Sequence, residues 1–187
     1  MKKTSWQIGC VAGVIACGVA LLAGCGDGKS TAAPLSVERV QEIKESFPKL
    51  EQDGDGYWKL DFNLLSSYPV TPPSTEIAKQ DNLLNEVPKK FYNLNGIHAQ
   101  IEGYMLALNW ENGLVTEFLI LRDPNACCYG QMPLQNEWIY VVADGDGYEE
   151  IITEPQIFYG TFEVAEGFSE HVGSGVYRMR CNRVVRQ

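Results

Sequence analysis

Hydrophobic and polar residues alternate along the second half of the chain in five runs, a pattern typical of β-strands. The runs are Ile97 to Leu108, Leu114 to Arg122, Glu137 to Ala143, Gln156 to Ala165 and Gly175 to Val185. Turn-forming residues separate the runs. Five strands at this spacing can close on themselves and so remove the exposed edges of a sheet. The pattern predicts a mainly β fold, a small antiparallel barrel of five strands.

A glycine lies in the middle of the first run. Gly103 interrupts an otherwise continuous strand pattern, and glycine inside a strand often marks a bulge or a sharp bend. We expect Gly103 to let one strand serve two sides of the barrel.

Residues 35–90 show shorter and more mixed patterns. Ser36 is a potential N-cap for a helix that ends before Pro48, Tyr57 to Leu65 alternates like a strand, and 74–85 reads as a second short helix. Asp53-Gly54-Asp55-Gly56 is predicted to be a tight turn, as is the later Asp144-Gly145-Asp146-Gly147, because neither places a Glu where an EF-hand needs its twelfth ligand. We therefore predict an extension of short helical and extended segments, followed by the barrel domain at 91–187.

The N-terminus has the three parts of a secretory leader. Lys2 and Lys3 are followed by an apolar run that ends in Leu22-Ala23-Gly24-Cys25. The apolar run is shorter than the roughly 20 residues that span a bilayer. This arrangement resembles a bacterial lipoprotein signal peptide, which implies that residues 1–24 are removed and that Cys25 is acylated. Residues 25–34 are small and polar, and we expect them to form a flexible tether.

The leader also predicts where the protein is located in the cell. Several acyl chains on Cys25 would hold the protein stably on a membrane, so we expect a lipid-anchored protein of the bacterial cell envelope. In a Gram-negative host, Gly26 after the cysteine favours the outer membrane, with the protein facing the periplasm.

Charge narrows the range of partners. The formal net charge is −9, and removal of the leader takes away two lysines, which leaves the mature chain more acidic. Nucleic-acid binding requires a basic surface for phosphates, so the composition argues against it. An envelope protein or a glycan is the expected partner.

Four motifs resemble those of an uncharacterised family of bacterial exported proteins and lipoproteins. They are Gly103-Tyr104-Met105, the run from Thr116 to Asp123, Cys127-Cys128-Tyr129-Gly130, and Tyr159-Gly160-Thr161-Phe162. The resemblance implies a barrel like the oligonucleotide/oligosaccharide-binding (OB) fold that has a Cys-Cys-aromatic-Gly turn after its second strand. It implies no activity.

Three cysteines remain in the mature domain after Cys25. A disulfide between Cys127 and Cys128 would be strained, because adjacent α-carbons lie about 3.8 Å apart, below the usual disulfide range of about 4.4 to 6.8 Å. Alternatively, one of the two pairs with Cys181, or the two thiols bind zinc or copper with His98 or His171. A turn with reduced thiols is the remaining interpretation. Cys181 is in phase with apolar residues of its strand, so we expect its thiol to face the core.

Arginines and aromatic residues could contribute to binding. Arg178 and Arg180 share one strand face and could meet an anionic ligand or partner, or they could pair with acidic residues on neighbouring strands. The aromatic residues near the strands could stack on a ligand or fill the core. They are Tyr104, Trp110, Trp138, Tyr140 and Tyr159.

No common catalytic motif occurs in the sequence. It lacks a Gly-x-Ser-x-Gly elbow, a phosphate-binding loop, a His-Glu-x-x-His motif and a dinucleotide-binding fingerprint. This argues against an enzyme. The sequence favours a membrane-anchored binding or assembly module, and the alternative is a thiol-dependent metal-binding or redox accessory protein that uses Cys127 and Cys128.

Overall fold

Strands make up most of the regular structure. The structure is a computed structural model, and it describes residues 34–70, 87–124, 133–165 and 175–186. The elements in chain order are helix α1 (Val37–Ser46), strand β1 (Trp58–Leu60), helix α2 (Phe62–Leu65), a 3-10 helix (Lys89–Leu94), and strands β2 (Ile97–Glu111), β3 (Leu114–Leu121), β4 (Trp138–Ala143), β5 (Gln156–Val164) and β6 (Tyr177–Arg186). The mainly β class predicted from the sequence is confirmed, and each of the five predicted runs corresponds to one of β2 to β6.

The strand pairings close β2 to β6 into a ring. Strand β2 pairs with β3, β3 with β4, β4 with β6, β6 with β5, and β5 again with β2, while β1 adds to β2 as a sixth strand. The sheet is mixed, because the β4–β6 and β1–β2 pairs are parallel. This differs from the purely antiparallel arrangement that we expected. A closed ring with an odd number of strands cannot be antiparallel throughout, so one parallel pair is a geometric necessity.

Strand β2 serves two sides of the ring, as predicted from Gly103. Its first half, through Gly103, pairs with β5, and its second half, from Tyr104, pairs with β3. A Cβ on Gly103 would lie 2.5 Å from Ile120 Cγ2, so only glycine fits where the partner changes. The register irregularities of β2 lie further along the strand, between Ala107 and Trp110.

One hydrophobic core joins the ring to the extension that precedes it. Phe118, Phe158 and Phe162 from the ring are fully buried in the same cluster as Ile43 of α1 and Leu65 of α2. The hydroxyl of Tyr177 on β6 donates to the backbone oxygen of Leu65 at 2.9 Å. The residues of the extension therefore fold as part of the same body as the ring.

The extension differs from its sequence prediction at one point. Ser36 caps α1, since its side chain accepts from the Arg39 amide at 3.2 Å, as predicted. The predicted strand from Tyr57 to Leu65 is wrong beyond Leu60, where α2 replaces it. Asp61 explains the change, because its carboxylate accepts from the Leu64 amide at 2.7 Å and so caps a helix.

Both Asp-Gly motifs form turns, as predicted. The Asp53 carboxylate accepts from the amides of Asp55 at 2.9 Å and Tyr57 at 2.8 Å, and Gly56 has a φ of +88°. Gly145 and Gly147 also have positive φ values, which glycine adopts most easily. Over the residues that the structure describes, no helix has the length and apolar character to cross a membrane.

Candidate functional site

A cavity of about 260 Å³ lies where the extension meets β2. Its lining residues come from the start of the described chain, from α1, from the turn before β1, and from β1 and β2. They are Pro34, Leu35, Val40, Gln52, Gly56, Trp58 and His98. Pro34 and Gln52 are exposed, whereas Trp58 is buried, so the cavity leads from the surface towards the core.

The indole of Trp58 is the most buried group of this cavity. Strand β1 runs parallel to β2, with Trp58 beside Ala99, and the side chain is only 1% exposed. Its Nε1 has no hydrogen-bond partner. An indole N–H can only donate, and a buried donor without an acceptor destabilises a protein by about 1 to 3 kcal/mol.

His98 lies on the neighbouring strand and has a similar unpartnered atom. Its Nδ1 is buried without a hydrogen-bond partner. The imidazole packs edge-on against the Tyr57 ring, with 6.0 Å between ring centroids. The Asp53 turn positions this region, because the Asp53 carboxylate also accepts from Gln100 Nε2 on β2 at 3.0 Å. Two residues that line the cavity, Trp58 and His98, therefore each carry a buried nitrogen atom without a hydrogen-bond partner.

An arginine stack flanks the cavity on the outer face of the ring. The Arg183 guanidinium lies 3.7 Å from the centroid of the Tyr159 ring and 5.5 Å from that of Tyr57. It also forms an ion pair with Asp55 at 3.7 Å. A register shift between β5 and β6 explains its position: Gly160 pairs with Cys181 but Tyr159 pairs with Arg183, so the bulge brings Arg183 to the same face as Tyr159.

Arg178 and Arg180 lie on the outer face of β6, as predicted from the alternation. Arg178 is opposite Glu163 on β5, and Arg180 is opposite Thr161. Arg186, at the end of the strand, pairs with Glu149. Arg183 and Arg186 thus have acidic partners, Asp55 and Glu149, which lie outside the strands. A role of Arg178 and Arg180 in binding an anion stays a prediction.

Cys181 is a fully buried free thiol, and its inward direction confirms the prediction from its phase with Tyr177 and Met179. Its Sγ donates to the backbone oxygen of Arg183 at 3.4 Å. Burial raises the pKa of the thiol to about 11, so it is protonated and unreactive at neutral pH.

The other thiol predictions lie outside the described residues. Cys25, Cys127, Cys128 and His171 are among these residues, so the hypotheses of lipidation, of a Cys127–Cys128 disulfide, and of zinc or copper binding stay predictions. The structure has Cys181 as a free thiol and does not show the alternative disulfide to it. Within the described ranges, no group of three or more His, Cys, Asp or Glu side chains could hold a metal ion.

The aromatic candidates have different surroundings. Trp138 is buried over Gly175, where a Cβ would lie 2.1 Å from its ring, and Trp110 is 49% exposed. Tyr140 donates to the Glu117 carboxylate at 2.8 Å, and burial together with this bond raises the pKa of Tyr140 to about 12. Tyr159 forms the stack with Arg183. None of the five aromatic candidates, which also include Tyr104, is among the described residues that line the cavity.

The residues that matter most at the cavity were missed as a site. Sequence alone indicated His98 only as a distant metal ligand, and Trp58 only as part of a strand. The sequence does contain a weak signal for the burial of Trp58. Trp58 follows the Asp53 to Gly56 turn and Tyr57, and a tryptophan on so short a strand needs residues outside that strand to bury it.

A family comparison covers the whole strand ring. The family model described as "protein of unknown function (DUF3299)" matches residues 70–186. The chain belongs to the DUF3299 family. The crystal structure, at 2.45 Å, of a DUF3299 family protein from Pseudomonas aeruginosa PAO1 is similar to it, with 26% sequence identity and a TM-score of 0.51. The match covers 69% of this chain and 95% of that chain. None of the curated proteins matches the sequence.

Membership of DUF3299 agrees with the expectation of a family of unknown function. The family match begins at residue 70, so His98 is the one described lining residue inside it, and the other six precede it. The cavity therefore forms where the matched residues meet the residues of the extension that precede them.

Proposed function

We propose that this DUF3299 protein is a lipid-anchored lipoprotein of the bacterial cell envelope and acts as a binding module through the cavity between its extension and β2. The observation that supports binding is the cavity of about 260 Å³ itself, which leads from the surface to the buried Trp58 side chain. The leader that ends in Leu22-Ala23-Gly24-Cys25 supports anchoring. In a host with two membranes, Gly26 favours the outer membrane and the periplasmic side.

The argument for binding is the size and the mixed lining of the cavity. An apolar cavity of about 150 Å³ is already large enough to bind benzene, and this cavity measures about 260 Å³. Its described lining combines the apolar Leu35 and Val40 with the polar Gln52 and His98, a combination that is typical of sites for small molecules.

Native mass spectrometry of protein extracted from membranes tests the binding function. We expect the wild type to retain a small non-covalent ligand. The variant Val40→Phe fills the cavity wall and should lose it, whereas Val37→Phe places the same side chain on the same helix at a position that is 87% exposed and should keep it. Equal masses of native and denatured wild type, after subtraction of bound solvent, would contradict a binding function.

The anchor requires a separate test. Cys25→Ser removes the thiol that would be acylated, so the variant should carry no acyl group and should retain residues 1–24. The wild type should have the mass of a chain that begins at Cys25 plus its acyl groups. A wild-type chain in the membrane fraction that retains residues 1–24, or an unmodified Cys25, would refute the anchoring.

A further inference from the structure

We propose that the second half of strand β2 binds an extended, basic segment of a partner protein, which pairs with it as a further strand. The segment pairs with the edge of β2 that faces away from β3 between Tyr104 and Glu111, which we call the free edge. His98 and the cavity lie at the other end of β2, so this inference goes beyond the proposed function and does not depend on it.

The pairings of β2 leave this edge without a strand partner. A strand of a closed ring has its two neighbours on opposite edges, so β5 lies on one edge of β2 and β3 on the other. The pairing with β3 continues to Glu111, whereas the pairing with β5 ends at Gly103. Beyond Gly103, no strand in the described part of the chain pairs with the β5 edge. Such an edge presents N–H and C=O groups that another chain can bind.

The backbone of Trp110 points towards the free edge. Val115 is opposite Trp110 on β3, and it bonds Tyr148 instead: the Val115 N–H donates at 2.8 Å and the Val115 oxygen accepts at 3.0 Å. Because Val115 faces away from β2, the backbone groups of Trp110 face away from β3. The Trp110 N–H donates to the Asn109 side chain at 3.0 Å, a bond that an added strand would replace.

Exposed apolar side chains accompany these backbone groups. Leu108 is 43% exposed and Trp110 is 49% exposed. Asn112 and Gly113 form the turn to β3 with φ values of +52° and +84°, as in a type I′ hairpin turn, which matches the twist of its strands. Tryptophan is a frequent anchor of protein interfaces. The free edge therefore offers both backbone groups for pairing and side chains for contact.

The surroundings of the free edge are acidic, which determines the charge of the partner. Residues 101–121 contain three glutamates, residues 144–157 contain two aspartates and three glutamates, and neither stretch contains Lys or Arg. The second stretch lies at the same end of the ring, because its Tyr148 bonds β3 and its Gln156 pairs with β2. Arg186 binds one of these carboxylates, and the remaining charge favours a segment rich in Lys or Arg.

Two peptides test the pairing. The probe is the acetylated and amidated hexapeptide Lys-Val-Lys-Val-Lys-Val, and the matched control is Glu-Val-Glu-Val-Glu-Val. Each is titrated into the detergent-solubilised full chain while hydrogen exchange of the backbone amides is followed by mass spectrometry. We expect saturable binding of the basic peptide with slower exchange in residues 104–111, and no binding of the acidic peptide. Sodium chloride at about 0.5 M should weaken the binding, because salt screens exposed charges.

Variants separate the backbone from the side chains. Trp110→Ala removes the anchor and should weaken binding about tenfold. Trp110→Pro also removes the N–H, so we expect a further loss, while the pairing with β3 does not use this N–H and stays intact. Leu108→Ala should weaken binding as well. Val142→Ala changes an equally exposed residue on a strand with partners on both edges and should bind like the wild type.

The inference is overturned if the basic peptide does not bind, if the acidic peptide binds equally, or if the protected amides lie outside β2. Wild-type binding by both Trp110→Ala and Leu108→Ala would also overturn it, and these two variants decide the matter if Trp110→Pro does not fold. A dimer that forms through the free edge without peptide would replace the partner by a second copy. Val40→Phe at the cavity should leave peptide binding unchanged, so the proposed function is tested separately.

Discussion

Two buried aromatic residues at the contact between the strand ring and the extension differ in their polar atoms. The hydroxyl of Tyr177 on β6 binds both the Leu65 backbone oxygen at 2.9 Å and the Tyr68 hydroxyl at 3.0 Å. The Nε1 of Trp58 on β1, an equally buried residue, has no partner. Tyr177 therefore stabilises the fold through its polar atom, whereas the polar atom of Trp58 lowers stability.

The same difference appears in the packing. In the ring, glycines mark points where two backbones meet without space for a side chain, as at Gly160, where a Cβ would lie 2.1 Å from the Arg180 backbone oxygen. In the turn of the extension, Gly54 has no heavy atom within 4 Å of an added Cβ. Gly160 therefore lies at a close contact between two strands, whereas Gly54 lies in an open turn.

The largest expected effect is that of filling the tightest point of the ring. Gly160→Ala forces β5 and β6 apart at the bulge, and we expect it to lower the free energy of unfolding by about 3 kcal/mol, the upper part of the range for overpacked cores. Urea denaturation followed by circular dichroism measures this. The matched variant Gly54→Ala should stay within about 0.5 kcal/mol of the wild type, and equal effects of the two would remove the contrast between ring and extension.

Removal of the hydroxyl of Tyr177 is expected to have the next largest effect. Tyr177→Phe leaves the Leu65 oxygen without its donor in the core, which should destabilise the protein by about 1.5 kcal/mol. The half-buried Tyr140 is the control, since Tyr140→Phe breaks a bond to Glu117 that solvent can partly replace. We expect a smaller loss there, again by urea denaturation. A neutral Tyr177→Phe would show that its two bonds do not stabilise the ring.

Alternation along the chain was sufficient to predict the ring. All five strands were found from periodicity, and Gly103 indicated the strand that two partners share. The parallel β4–β6 pair was missed because periodicity reports which face of a strand is buried and says nothing of its neighbours. Leu60 to Leu65 was read as strand because Asp61 acts as a helix cap through a single hydrogen bond, which outweighs a weak alternating pattern.

The cavity could not be predicted in this way. Its described lining residues lie between positions 34 and 98 of the chain. A cavity forms where side chains from distant parts of the chain leave space between them, and a local sequence pattern contains no information on this. Cys181 illustrates the opposite case, because its phase along β6 was enough to predict its burial.

The buried thiol leads to a smaller, pH-dependent prediction. The pKa of Cys181 is raised by burial from 9.0 to about 11, so the unfolded chain releases this proton at a lower pH than the folded one. Stability from this group is therefore complete below pH 9 and is lost as the pH rises towards 11. Between pH 9 and 10 the wild type should lose about 1 kcal/mol more than Cys181→Ala, measured by urea denaturation in reducing buffer. Parallel pH profiles would contradict a buried, protonated thiol.

We expect the smallest change in the free energy of unfolding for a substitution of Trp58. Trp58→Phe removes a buried donor that has no acceptor, together with part of a ring that fills the core. The loss of packing and the relief of the unpartnered N–H oppose each other, so we expect the free energy of unfolding to change by less than about 1 kcal/mol. Thermal and urea denaturation measure this change. A loss of more than about 2 kcal/mol would show that the lost packing outweighs the relief of the unpartnered N–H.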